Sequence, residues 1–185
     1  MNDRKRLVDR ARFEGAWSWT EYLEAVERNA ALWGAVYRRA EAPEDLVEEL
    51  RAVMDGPRYM LALTEDWCGD AVNSLPWVAR LAEAIPGLEF RLLGREANPD
   101  LMDAHLTGTS RSIPVVMVFD ADFEEMGWWG PRPGNLQSWA ISPEARAMDT
   151  DDRYKVVRTW YARDRGRTIL EEIGSLLRLP SGTRT

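Results

Sequence analysis

The feature that most constrains the fold is an apolar run that ends abruptly in a polar turn carrying the only cysteine. Arg58–Thr64 (RYMLALT) reads as a buried strand. It is followed by Glu65-Asp66-Trp67-Cys68-Gly69-Asp70-Ala71, and then by a helical pattern with Val72, Leu75, Val78, Ala79 and Ala82 apolar. A strand that feeds a helix through so short a turn places Cys68 at the helix N-terminus. There the backbone dipole favours a thiolate. The position three residues on, where a C-x-x-C pair would carry its second sulfur, is Ala71.

The rest of the chain supplies partners for that strand. Residues 88–93 read as a second strand, 113–119 as a third and 123–129 as a fourth, the last two close enough to form an antiparallel hairpin. Asn98-Pro99-Asp100 opens a short helix between the second and third strands. Before the first strand the pattern is helical. Ser18 and Glu21 form a capping-box pair ahead of a helix to about residue 39, and Pro43 with Glu44 and Asp45 starts another to about residue 54. Residues 1–16 read as a loose helix. After Gly130-Pro131-Arg132-Pro133-Gly134 come helices at about 135–147, 151–164 and 167–178. The expected fold class is α/β: a mixed four-stranded sheet flanked by helices, with a helical N-terminal extension and a helical C-terminal tail. One domain over 1–185 is expected, with 1–56 as the extension, 57–147 as the core and 148–185 as the tail.

Composition narrows the function classes. The net charge of −7 argues against nucleic acid or an anionic membrane as partner. No apolar run approaches the roughly 20 residues that span a bilayer. The basic start, residues 1–6, has no apolar segment behind it and does not read as a secretory signal. A single cysteine allows no internal disulfide, which fits a reducing cytoplasm. The nine tryptophans are read mainly as packing.

Three features together resemble the thioredoxin family over residues 57–147. Trp67-Cys68-Gly69 is similar to the start of its W-C-G-P-C motif. Pro76 falls where the family bends its active-site helix, so a kink is expected there. Ile113-Pro114 opens a strand where the family has its cis-proline beside the active cysteine. Arg111-Ser112-Ile113-Pro114 and Trp129-Gly130-Pro131-Arg132-Pro133, with the helical N-terminal segment, resemble a little-characterised branch of the family. The departures carry equal weight. The resolving cysteine is Ala71, the proline between the cysteines is Asp70, and the family's buried aspartate and lysine correspond to Ala62 and Leu92.

The resemblance implies single-cysteine thiol–disulfide exchange: Cys68 as nucleophile, and an outside thiol to release the mixed disulfide. The candidate substrate groove is Trp67, Gly69, Asp70, Arg111, Ile113, Pro114, Trp129 and Arg132. A modestly lowered Cys68 pKa is expected, with the helix dipole favouring the thiolate, Glu65, Asp66 and Asp70 opposing it, and Arg111 pairing with Asp70 or the sulfur. Expected partners are protein disulfides or a low-molecular-weight thiol, with an edge strand bearing Trp128 and Trp129 that could support a homodimer. No cofactor or metal is expected: there is no Gly-rich phosphate loop, and His105, the only histidine, reads as a surface or packing residue. The alternative is a non-catalytic protein-binding or chaperone-like module on the same scaffold. A peroxiredoxin is excluded because Thr64 stands one place off its motif, and a monothiol glutaredoxin fits poorly with Trp67 and the N-terminal helices.

Overall fold

The computed structural model describes residues 6–183; the basic start at residues 1–5 lies outside the described residues. The elements run α1 (Arg10–Glu14), β1 (Trp17–Ser18), α2 (Trp19–Ala25), α3 (Ala30–Arg39), α4 (Glu44–Val53), β2 (Arg58–Thr64), α5 (Gly69–Ala84) and β3 (Leu88–Gly94). They continue with α6 (Pro99–Ala104), β4 (Val115–Phe119), β5 (Glu125–Trp129), α7 (Gly134–Ala140), α8 (Pro143–Ala147), α9 (Thr150–Asp164) and α10 (Arg167–Leu177).

The sheet order is β1-β3-β2-β4-β5. Strand β2 is buried at all seven positions because it is central, parallel to β3 on one side and antiparallel to β4 on the other. Helix α5 makes the crossover that a parallel pair requires. It runs from Gly69 to Ala84 with Pro76 inside it. Hairpin β4–β5 closes one edge. The other edge corrects the four-stranded expectation: Trp17 and Ser18 pair with Leu92 and Arg91 as a fifth, two-residue strand. A strand of that length has no periodicity to read.

The extension and tail share the core with the sheet. Phe13, Trp33 and Leu50 lie in the same buried cluster as Leu61, Leu75, Val116, Ile169 and Ile173. The single helix expected over about 18–39 is two. Helix α2 ends at Ala25, and Asn29, with φ 58, turns the chain into α3. That break is fastened to the Cys68 turn: the Asp66 carboxylate accepts the backbone N–H groups of Glu27 and Arg28 at 3.2 and 2.8 Å. The Asp66 carbonyl accepts from Trp33 Nε1 at 3.0 Å. The helix expected over 135–147 is likewise split, with Ser142 capping α8 through the N–H of Ala145.

Candidate functional site around Cys68

Cys68 is the N-cap residue of α5, and its own N–H donates to the Glu65 carbonyl at 3.1 Å. The thiol is buried, only 7% exposed, and donates to the Ile113 carbonyl at 3.4 Å. The Ile113–Pro114 peptide is cis, as is Gly130–Pro131. These two prolines are brought together: a Cβ on Gly130, which has φ +133, would stand 2.1 Å from the Pro114 carbonyl oxygen. Only glycine permits that approach.

Burial pushes the Cys68 thiol up, and the charge of Asp70 adds to the push. The backbone N–H groups of Ala71 and Asp70 and the Arg132 guanidinium work the other way and are outweighed. The lowered pKa expected from the helix dipole is therefore corrected. The dipole acts, but desolvation is larger, and a thiol that donates to a carbonyl is held in its neutral form.

The neighbouring charges are arranged differently from expectation. Glu65 and Asp66 are each engaged by backbone N–H groups. Glu65 Oε1 accepts the Glu96 N–H at 3.0 Å, and Asp66 is spent on the α2–α3 turn. Arg111 pairs with neither Asp70 nor the sulfur. It forks onto Asp103, with Nε and Nη2 each at 2.7 Å. Arg132 holds Asp70 instead, Nε to Oδ1 at 2.9 Å and Nη2 to Oδ2 at 2.6 Å. Tyr161 Oη donates to the same carboxylate at 2.9 Å, and Arg132 Nη1 donates to Gln137 Oε1 at 3.0 Å. Burial nevertheless pushes the Asp70 carboxyl up, against the downward pull of Arg132 and Tyr161.

Trp129, expected to face the groove, is buried, and its indole N–H donates to Glu172 Oε2 at 2.7 Å. Trp67 does stand open, 43% exposed, with the Arg95 guanidinium 5.2 Å from its ring centroid. Arg95 also donates to the Arg111 carbonyl at 3.1 Å and so belongs to the rim. The sequence reading missed Arg95, although its place just beyond β3 was the available signal. It also missed Tyr161, for which 91 residues of intervening chain left no signal. Ala62 and Leu92 are register partners on β2 and β3 and are fully buried. The ground where the family keeps a proton-handling pair is thus apolar. Two neighbouring hydroxyls, Tyr22 Oη and Thr64 Oγ1, are buried without a well-formed hydrogen bond among the described residues.

The thioredoxin family model matches residues 16–155, most of the chain. The chain belongs to the thioredoxin family. A relative named "Putative thioredoxin 2", from Streptomyces coelicolor, is 31% identical over 110 residues, covering 58% of this chain and 77% of the relative. Two solved structures share the fold at lower identity. A protein of unknown function from Pseudomonas aeruginosa gives TM-score 0.71 at 19% identity, covering 92% of this chain and 97% of its own. An HIV epitope scaffold gives 0.69 at 17%, covering 92% and 98%. Within this thioredoxin-family chain, the motif cysteine is kept, while the resolving sulfur and the buried charged pair are not. No described helix is long and apolar enough to cross a membrane.

Proposed function

We propose that this chain is a single-thiol exchange protein of a reducing compartment such as the cytoplasm, acting as one domain on protein or low-molecular-weight disulfides. The observation that carries the reading is the position of Cys68: N-cap of α5, with its sulfur against the Ile113 carbonyl beside Pro114. An extended substrate segment that pairs with the backbone of residue 113 would compete with that thiol for the carbonyl, releasing the sulfur where a disulfide has arrived. The Cys68 thiolate then attacks one sulfur of the substrate disulfide. A mixed disulfide forms and the other substrate sulfur leaves as a thiolate. With Ala71 in the resolving place, an outside thiolate attacks the substrate sulfur, returns the electron pair to Cys68 and leaves as the new disulfide.

The raised pKa keeps the thiol slow to react at neutral pH until a bound segment displaces it from the Ile113 carbonyl. Trapping of mixed disulfides on Cys68, with Cys68→Ser as the blank, tests the reading. Species released by reductant from the wild type alone support it, and equal recovery from both sinks it. Ala71→Cys is expected to add dithiol reductase activity towards insulin; no gain would mean that the apolar ground at Ala62 and Leu92 limits proton transfer.

The alternative, a non-catalytic binding module, is favoured by one observation: the thiol is buried and occupied as a donor. The two readings separate on rate. If Cys68 reacts with oxidised glutathione more slowly than free cysteine even when a bound peptide is present, the binding module is correct.

A further inference from the structure

Helices α3, α5 and α9 enclose a cavity of about 370 Å³ beside the first turns of α5. Its wall includes the Trp77 ring and Tyr161, and its rim carries Arg39 and Arg165. Both arginines are exposed. Arg80, Arg132 and Arg167 each hold a carboxylate, but no side-chain hydrogen bond or ion pair joins Arg39 or Arg165 to any described residue. The cavity's lining thus carries two guanidinium groups and no carboxylate, on a chain of net charge −7.

The backbone is built to hold this arrangement. Arg165 ends α9 in the left-handed region at φ 51, an uncommon conformation for a non-glycine residue. Gly166 follows at φ +75, and a Cβ there would stand 2.3 Å from Trp77 Cδ2. The turn that carries Arg165 is thus pressed onto the indole that walls the cavity. The cavity also reaches the cysteine's surroundings. Tyr161, its inner wall, donates to Asp70, two residues after Cys68. Asn73, also on the wall, donates through Nδ2 to the Gly69 carbonyl at 2.7 Å and keeps its Oδ1 clear of any bond among the described residues. At ~1.5 Å of rise per helical residue, Asn73 lies roughly 7–8 Å along α5 from Cys68.

We infer that this cavity is a binding site for a small anionic ligand bearing two carboxylates, held by Arg39 and Arg165 with its uncharged middle against Trp77. Guanidinium forks suit carboxylates, and a flat indole suits the chain between them. If the single-thiol reading above holds, the ligand is the resolving thiol: an anionic low-molecular-weight thiol whose sulfur points along α5 to Cys68. The binding site itself does not depend on that reading.

The test uses the full chain and S-methylglutathione, an anionic probe that cannot exchange, followed by calorimetry on the wild type and on Cys68→Ser. Equal, saturable binding by both is expected. Arg39→Gln and Arg165→Asn, the latter chosen because asparagine tolerates the left-handed turn, are each expected to weaken it about tenfold, 1.4 kcal/mol. Cystamine, a cationic disulfide, should not bind at the same concentrations. Unchanged affinity in both arginine variants, or equal binding of cystamine, overturns the inference. If the probe binds through the arginines but oxidised glutathione never modifies Cys68, the cavity stands and the exchange reading falls. If glutathione modifies Cys68 equally in wild type and arginine variants while the probe does not bind, the reverse holds.

Discussion

The two ends of the central sheet treat buried polarity in opposite ways. At the end where β2 meets Cys68, hydroxyls are orphaned and the thiol is occupied only by a carbonyl. At the other end, a fully buried Arg58 is dressed from several directions: carbonyls of Pro57 and Leu179 at 3.3 and 3.2 Å, Ser181 Oγ at 3.2 Å, and the Asp55 carboxylate. Only its Nε lacks a partner. Buried Asp120 nearby accepts the N–H groups of Asp122 and Glu124 at 3.0 Å and of Gly182 at 2.9 Å. The segment Leu179–Gly182 is thereby strapped across that end. Polar groups that are satisfied specify structure, whereas polar groups left short of partners are free to meet something else. The cysteine end keeps one satisfied charge cluster, Asp70 with Arg132 and Tyr161, beside its unpartnered hydroxyls, whereas at the far end the chain's own C-terminal segment supplies the partners.

The largest expected effect is at the strapped end. Arg58→Ala removes one partner of a buried ionic network and opens a void, and should cost about 3 kcal/mol in urea unfolding. It should leave the pH profile of Cys68 alkylation unchanged. A loss below roughly 1 kcal/mol, the median worth of an exposed pair, would mean that the strap does not hold that end.

Two tyrosines sharpen the comparison at the cysteine end. Tyr161 donates to the Asp70 carboxylate, so Tyr161→Phe loses a hydrogen bond to a charged group, about 1.5–3 kcal/mol. Tyr22 Oη faces the Thr64 hydroxyl without a well-formed hydrogen bond, so Tyr22→Phe removes a poorly satisfied buried hydroxyl and should be neutral or stabilising. Chemical denaturation of both variants checks this. A cost for Tyr22→Phe equal to that of Tyr161→Phe would show that an ordered water satisfies the Tyr22 hydroxyl. Asp70→Asn is expected to lower the Cys68 pKa, because the Asp70 charge is among the forces that raise it. Alkylation rate against pH reads that shift, and an unmoved profile would leave burial as the whole cause.

What the sequence made legible was local. The bounds of β2 and α5 followed from an apolar run and a turn, and the one long-range contact, Cys68 with the Ile113–Pro114 segment, came from the family resemblance. What it hid was set by packing. Arg111 stands nearer to Pro114 in sequence than Arg132 does, but Asp103 claims Arg111 and it is Arg132 that reaches Asp70. The Cys68 pKa reversed direction because desolvation depends on what covers the sulfur, which no local pattern encodes. Trp129 alternates inward along β5, and Glu172 from α10 takes its indole N–H.

The smallest effect concerns His105, which the sequence left between surface and packing roles and the structure buries. Its ring faces two acceptors: the Leu101 carbonyl at 2.7 Å from Nδ1 and Glu125 Oε1 at 3.0 Å from Nε2. Glu125 opens β5 opposite Phe119, at the strapped end of the sheet. Two acceptors require two ring protons, so the pair favours the imidazolium. Burial pushes the His105 pKa down, but the Glu125 hydrogen bond and charge and the Leu101 carbonyl outweigh it, and the net shift is up. A raised pKa contributes stability that is fully present below the unfolded value of about 6.5 and is lost as pH rises through the folded value. Glu125→Gln should therefore narrow its stability gap to the wild type as pH rises from about 6 to about 9. Urea midpoints at both pH values read the gap. A gap that stays constant would place His105 with the neutral groups, and the satisfied end of the sheet would then hold its charge in Arg58, Asp55 and Asp120 alone.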